Sequence, residues 1–185
     1  MKKILFFSAL IFILSCGSKA NKNNGDTFSE NATIKEKPAQ QAAVPFPVYM
    51  AFDEFEHHIR QNNDTTYVVN FWATWCKPCV AELPFFEKLI SEKKGQAIKV
   101  LLVSMDFPKQ IKSKLIPFVK EKKLEKNVVA LADMDYNSWI DKVSGEWDGA
   151  IPFTYIYNNK NKVIKTGEMD GYEELEELLK KVDKS

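Results

Sequence analysis

The chain has 185 residues, of which 45% are hydrophobic, 12% aromatic and 28% charged, a composition typical of one globular domain with a sizeable core. Three cysteines are too few for a disulfide-dense mini-protein, and the apolar content excludes a disordered chain. The chain has 26 Lys and Arg residues and 25 Asp and Glu residues, so its formal net charge is only +1. This balance argues against a general nucleic-acid-binding protein.

The first 15 residues have the pattern of an export signal. Lys2 and Lys3 precede the apolar run 4–14, which is shorter than the roughly 20 residues that a membrane-spanning helix needs. Ser15-Cys16-Gly17 then resembles the lipobox of bacterial lipoproteins, in which the cysteine receives a diacylglycerol. We expect residues 1–15 to be a lipoprotein signal peptide and Cys16 to be lipidated; a plain signal peptide with an incidental Cys16 is the alternative.

The segment after Cys16 is predicted to be a flexible tether. Residues 17–44 are mostly polar, contain Phe28 as their one aromatic residue and show no helical or strand periodicity. The domain organisation is therefore a signal peptide over 1–15, a lipidated cysteine and tether over 16–44, and a folded domain over 45–185.

From residue 45 the sequence predicts alternating helices and strands. The predicted strands are residues 67–72, 98–105, 128–132, 153–157 and 162–166. The predicted helices are one with Phe52, Phe55 and Ile59 on one face, one with Cys79, Leu83, Phe86 and Ile90 facing inward, one over 107–123, one over 136–143, and a last one opening at 170–173. Pro117 should bend or split its helix. This order predicts an α/β domain whose central mixed β-sheet is flanked by helices.

Two cysteines lie where the first buried strand gives way to a helix, in the sequence Trp75-Cys76-Lys77-Pro78-Cys79. At a helix N-terminus, unpaired N–H groups and the helix dipole stabilise a thiolate, so Cys76 is the predicted nucleophile. Cys79 follows on the same side of the first turn and can resolve a mixed disulfide formed at Cys76. Pro78 is tolerated in a first turn, and Lys77 adds a positive charge beside the thiolate.

Other interpretations of the cysteine pair are weaker. A structural disulfide would close a very small loop and stabilise the fold little. A zinc site needs four ligands, and the chain has no second cysteine pair and no histidines other than the adjacent His57 and His58. We therefore expect no metal and no cofactor.

A second motif opens the strand 153–157. A proline before a strand that faces an active site is a candidate cis peptide bond, and Ile151-Pro152 stands in that position. A cis bond would turn the backbone of Ile151 outward, where it could pair with an extended substrate strand. An ordinary trans proline at a strand start is the alternative.

These motifs together carry a family resemblance. Residues 69–79 (VNFWATWCKPC), Glu82-Leu83-Pro84 and Ile151-Pro152-Phe153-Thr154 resemble the thioredoxin fold and, within it, the membrane-anchored thiol-disulfide oxidoreductases of the TlpA/ResA type. The resemblance extends from about residue 45 to the C-terminus. It implies a nucleophilic Cys76, a resolving Cys79, a cis Pro152 and an extra strand and helix between 106 and 148.

Two positions qualify the resemblance. Thioredoxin has a buried aspartate where this chain has Asn70, which cannot titrate. Glu82 lies one turn after Cys79 and matches an acid of the anchored reductases. A partly buried carboxylate there would have a raised pKa and could accept the proton of Cys79; a solvated helix acid is the alternative.

Partner contacts are expected around Cys76. Trp75, Lys77, Pro78, Ile151 and Pro152 are the predicted substrate-binding residues. Trp72 and Trp147 are candidates for an apolar rim beside Trp75, although Trp72 suits a core position equally well.

The sequence thus predicts an exported, lipid-anchored thiol-disulfide oxidoreductase in the periplasm. The favoured direction is reduction of protein disulfides, including those of apocytochrome c in cytochrome c maturation, by a monomer that a membrane electron donor recharges. A non-enzymatic peptide- or metal-binding module is the alternative. Copper-delivering relatives use Cys-x-x-x-Cys with a distant histidine, and no histidine follows His58, which argues against copper binding. A peroxide-reducing relative would need Thr-x-x-Cys, and Thr74-Trp75-Cys76 is one residue short.

Overall fold

The structure, a computed structural model, describes residues 44–183. The predicted signal peptide, Cys16 and all of the tether before residue 44 lie outside the described residues. Within the described range, six strands form one mixed sheet with helices packed against it, as the sequence predicts. None of the helices between residues 44 and 183 is both long and apolar enough to cross a membrane.

The strands and helices alternate along the chain. The strands are β1 (Val48–Tyr49), β2 (Thr66–Trp72), β3 (Ile98–Ser104), β4 (Val128–Leu131), β5 (Phe153–Tyr157) and β6 (Lys162–Thr166). The helices are α1 (Phe52–Phe55), continued by a 3-10 turn (Glu56–Ile59), α2 (Lys77–Glu92), α3 (Pro108–Gln110), a π-helical turn (Ile111–Leu115), α4 (Ile116–Lys122), α5 (Tyr136–Val143) and α6 (Tyr172–Asp183).

The sheet has the strand order β1-β4-β3-β2-β5-β6. Neighbours among β1, β4, β3 and β2 pair in parallel, whereas β5 pairs antiparallel with both β2 and β6. All seven residues of the central strand β2 are buried. Because parallel strands end at the same edge of a sheet, the segments that follow β1, β2, β3 and β4 meet along one edge.

Each face of the sheet has its own hydrophobic core, since successive residues of a strand point to opposite faces. Val68 and Trp72 of β2 pack into the core formed with α2, α4 and α6, which includes Phe86. Val69 and Phe71 pack into the other core, which α1 and α5 cover. The ring of Trp139 stacks on Phe52 there, at a centroid distance of 5.3 Å.

The predicted elements are confirmed with small differences. The short edge strand β1 was not predicted, because two residues show no periodicity. Pro117 does not split its helix: helical structure continues from α3 to α4. The π-helical turn before Pro117, in which the N–H of Ile116 donates to the carbonyl of Ile111, widens the backbone where the proline ring would otherwise clash. On α2, Leu89 rather than Ile90 is the fully buried residue after Phe86.

Candidate active site

The Cys76–Cys79 pair lies at the N-terminus of α2, as predicted. Cys76 is the N-cap residue, and its backbone is extended (φ −87°, ψ 102°) just before the first helical residue, Lys77. Its N–H donates to the carbonyl of Ala73 at 3.1 Å, which closes the turn between β2 and α2. The end of β2 therefore places Cys76 at the start of α2, where the first N–H groups of a helix have no partner inside the helix.

The two sulfurs form a disulfide, with a distance of 5.3 Å between the Cα atoms. The N–H of Cys79 points at Cys76 Sγ at 3.3 Å. Cys79 is fully buried, whereas Cys76 retains 6% of its surface exposed. Of the two cysteines, only Cys76 therefore retains any contact with solvent.

The loop before β5 lies against the same sulfur. The Ile151–Pro152 peptide bond is cis, as expected, and the carbonyl oxygen of Ile151 is 3.8 Å from Cys76 Sγ. Gly149 opens this loop with a φ of +89°, and a Cβ there would come within 2.7 Å of Ile140 Cδ1. Only glycine fits this position without strain, so the path of the chain into the loop depends on Gly149.

Glu82 is fully buried, so the interpretation as a solvated helix acid is wrong. Its Oε1 accepts a hydrogen bond from Asn70 Nδ2 at 2.8 Å, and its Oε2 accepts one from the N–H of Met169 at 3.1 Å. Burial raises the pKa of Glu82 to about 7, against the opposing effect of these two hydrogen bonds. A carboxyl group with this pKa can gain or lose a proton near neutral pH.

Asn70 holds this carboxyl group in place. Its side-chain NH₂ also donates to Thr154 Oγ1 at 3.0 Å, so the central strand β2, the strand β5 and the helix α2 are joined through one buried amide. The sequence shows that Asn70 cannot titrate. Its hydrogen bond to Glu82 was not predicted, because it joins residues 12 apart in the chain.

The predicted partner-contact residues divide into two groups. Trp75 is 46% exposed, and Lys77 and Pro78 are also exposed beside Cys76. Ile151 is partly buried and Pro152 is buried. The expected contribution of Trp72 and Trp147 to an apolar rim is wrong: Trp72 points into the core from β2, and Trp147 stacks on Phe153 at 4.5 Å and donates to the carbonyl of Ala150.

Asp106 is a site residue that the sequence analysis missed. It follows β3, is 1% exposed, and accepts hydrogen bonds from the N–H of Thr74 at 3.0 Å, from the Thr74 hydroxyl and from the hydroxyl of Ser104 at 2.8 Å. These bonds fix the turn that carries Cys76. The available signal was an acid directly after a predicted strand next to β2.

Phe107, also missed, extends this contact to the surface. Its ring is 40% exposed and lies parallel to the ring of Trp75, at a centroid distance of 5.8 Å and an angle of 12°. The two residues before Cys76 are thus each held by a residue that follows β3: Thr74 by Asp106, and Trp75 by Phe107.

The arrangement of residues suits thiol-disulfide exchange. It offers an accessible sulfur at a helix N-terminus, a buried second sulfur bonded to it and a buried carboxyl group one turn further along the helix. Among residues 44–183, no group of three or more His, Cys, Asp and Glu side chains is arranged to hold a metal ion.

Comparisons with known proteins agree with this chemistry. The profile of the AhpC/TSA family matches residues 38–166. Thiol-disulfide oxidoreductase ResA of Bacillus cereus is 24% identical over 187 residues, 98% of each chain. Sporulation thiol-disulfide oxidoreductase A of Bacillus subtilis is 26% identical over 139 residues, 75% of this chain and 79% of the relative.

A solved structure shows the same fold. The thioredoxin-related protein from Neisseria meningitidis serogroup B aligns with a TM-score of 0.56 at 23% identity, covering 68% of this chain and 90% of that one. The predicted thioredoxin-like fold and the predicted resemblance are both confirmed.

The buried Glu82 predicts a pH-dependent stability. Because its pKa rises from 4.5 to about 7 on folding, the folded protein binds a proton more tightly than the unfolded chain between these values. The Glu82 contribution to the free energy of unfolding therefore falls as the pH rises through this window. Between about pH 5 and about pH 8, the stability of Glu82→Gln should rise by roughly 2–3 kcal/mol relative to the wild type.

Denaturant unfolding at several pH values measures this difference. Any constant cost of the glutamine side chain cancels, because the prediction concerns the slope. Glu121→Gln, an exposed acid on α4, is the matched control and should follow the wild type. Parallel stability curves for Glu82→Gln and the wild type would show that Glu82 does not titrate in this window.

Proposed function

We propose that this thiol-disulfide oxidoreductase, which belongs to the AhpC/TSA family, is a lipid-anchored reductase of protein disulfides. The observation that carries the proposal is the position of the Cys76–Cys79 pair, with one sulfur reachable at the N-terminus of α2 and the other buried behind it. The names of two similar proteins, both thiol-disulfide oxidoreductases, support the exchange chemistry.

The first step forms a mixed disulfide. In the reduced enzyme the Cys76 thiolate, stabilised by the N–H groups of the first turn of α2, attacks one sulfur of a partner disulfide. The partner's other sulfur leaves as a thiolate and takes a proton. Trp75, Lys77 and Pro78 lie beside the attacked bond, and the backbone of the partly buried Ile151 is the proposed pairing site for an extended partner segment.

The second step releases the partner. Cys79 gives its proton to the Glu82 carboxylate and attacks Cys76 Sγ, so that the Cys76–Cys79 disulfide forms and the partner sulfur leaves as a thiolate. Two electrons have then passed from the dithiol to the partner disulfide. A pKa of about 7 makes Glu82 a suitable proton acceptor near neutral pH.

The direction and setting of the reaction come from the sequence. The residues between the cysteines, which include no histidine, and Ile151 before Pro152 resemble reducing members of the family more than strong oxidants. An exported reductase in an oxidising compartment needs a membrane electron donor to return Cys76 and Cys79 to dithiols. Cys16 would hold the monomer at the membrane through its lipid, with the domain in the periplasm. Apocytochrome c, whose haem cysteines must be reduced, is the proposed substrate.

Trapping with Cys79→Ala in the native host tests the function. This variant retains only the attacking sulfur, so it should accumulate mixed disulfides between Cys76 and its partners, which mass spectrometry identifies. A reductase traps partners in this way because Cys76 attacks oxidised partners. Because the exchange is reversible, the reduction potential of the Cys76–Cys79 couple then sets its direction, and a strongly oxidising value would contradict the reductase assignment.

The control is Cys76→Ala/Cys79→Ala, which cannot form these adducts. If Cys79→Ala yields no more mixed disulfides than this control, the reductase assignment fails and the non-enzymatic binding module is favoured instead.

The role of Glu82 has its own test. Glu82→Gln should slow the release of a partner from the Cys76 mixed disulfide by about a hundredfold at neutral pH, since general-base assistance is lost. Rapid quench of a single turnover separates this step from the first attack, which should keep its rate. Glu121→Gln again serves as the control, and unchanged release rates across the pH range would remove Glu82 from the mechanism.

A further inference from the structure

The exposed large hydrophobic residues of the described chain all lie at one edge of the sheet. They are Met50, Trp75, Phe107 and Met134, with exposed fractions of 60%, 46%, 40% and 48%. Each follows the end of one of the four parallel strands by one to three residues. We call these four residues the apolar row.

The strand order places the row in a definite sequence across the edge. Trp75 follows β2, Phe107 follows β3, Met134 follows β4 and Met50 follows β1, and these strands are successive neighbours. With about 4.8 Å between neighbouring strands, the backbone positions extend over roughly 14 Å. The row therefore starts beside Cys76 and runs away from the cysteines towards the β1 edge.

Hydrogen bonds to two carboxyl groups hold the segments of the row together. Asp106 accepts hydrogen bonds from Thr74, which ties the segment after β3 to the segment after β2. Asp133 accepts one from the N–H of Phe52 at 2.8 Å, which ties the segment after β4 to the segment after β1. The stacked rings of Trp75 and Phe107 add an apolar contact. A surface fixed in this way loses little conformational entropy on binding.

The charges change along the row. Lys77 and Lys109 flank its start near Cys76. Its far end carries acids: Asp133 and Asp135 adjoin Met134, and Asp53 and Glu54 follow Met50, with Lys142 paired to Asp53 at 3.1 Å. This acidic end repels an anionic lipid surface and suits a partner with basic side chains.

From these observations we propose that the apolar row docks the polypeptide segment next to the partner's disulfide. Four exposed apolar side chains along one sheet edge, beginning one residue before Cys76, are typical of a protein contact. At about 3.3 Å per residue, an extended segment crosses the row in about four or five residues. The partner class is thus a protein with apolar side chains within about five residues of its cysteine and basic residues beyond them. This inference rests on the proposed reductase function.

Reduction of designed peptides tests the row. One glutathionylated peptide carries four apolar residues and then two lysines on one side of its cysteine, and is made in both chain directions. Its control has serine and glutamate at those positions, and oxidised glutathione serves as a substrate too small to reach the row. The enzymes are the wild type, Met50→Ser/Met134→Ser, and Lys94→Ser, an exposed change at the opposite edge of the sheet.

The double variant should react about tenfold more slowly with the apolar-basic peptide in at least one direction, as expected when two anchoring side chains are lost. Its rates with oxidised glutathione and with the control peptide should stay at the wild-type values. Lys94→Ser should match the wild type with every substrate.

Two results would overturn the inference. One is a double variant that reduces the apolar-basic peptide as fast as the wild type. The other is found with phosphatidylcholine vesicles: the wild type binds them and the double variant does not, while the peptide rates stay unchanged. That combination would make the apolar row a lipid contact.

Failure of the reductase function itself is distinguishable. In that case the wild type does not reduce even oxidised glutathione. The apolar row is then tested by measuring the Kd of the oxidised protein for a cysteine-free apolar-basic peptide. The double variant should have a Kd about tenfold higher than the wild type. Equal Kd values would count against the apolar row.

Discussion

The chemistry of this protein depends on the contact between the Cys76 sulfur and the N-terminus of α2. The N–H of Cys79 points at Cys76 Sγ at 3.3 Å, and Cys76 itself is the N-cap residue. We propose that in the reduced protein the same backbone groups that begin the helix stabilise negative charge on this sulfur. Since Cys79 is fully buried one turn away, Cys76 is the proposed attacking sulfur and Cys79 the proposed resolving sulfur.

Two buried carboxyl groups support this arrangement in different ways. Asp106 fixes the turn before Cys76 from the neighbouring strand, so its effect is geometric. Glu82 lies one turn after Cys79 on α2 with a pKa raised to about 7 by burial, so its proposed effect is on proton transfer. The amide of Asn70 joins Glu82 of α2 to Thr154 of β5, and the carbonyl oxygen of Ile151, before the cis Pro152, lies 3.8 Å from Cys76 Sγ.

Local patterns predicted most of the fold but not the contacts between segments. The strands Phe153–Tyr157 and Lys162–Thr166 match their predicted bounds, because alternation and an Asn-rich turn define a hairpin locally. The position of Cys76 also followed from local order, strand and then helix. By contrast, the bond from Thr74 to Asp106 joins residues 32 apart and depends on β2 lying beside β3. The burial of Trp72 and Trp147 likewise depends on which face of the sheet each ring reaches, a property that proximity to the motif does not reveal.

Alkylation of the fully reduced protein as a function of pH tests the central claim most directly. With peptide mapping to separate the two cysteines, Cys76 should react rapidly at neutral pH, with an apparent pKa below the value of about 8.5 for a free cysteine thiol. Cys79 should react slowly, because it is buried. Equally slow reaction of both sulfurs at neutral pH would contradict stabilisation of the Cys76 thiolate by the helix, and with it the assignment of Cys76 as the nucleophile.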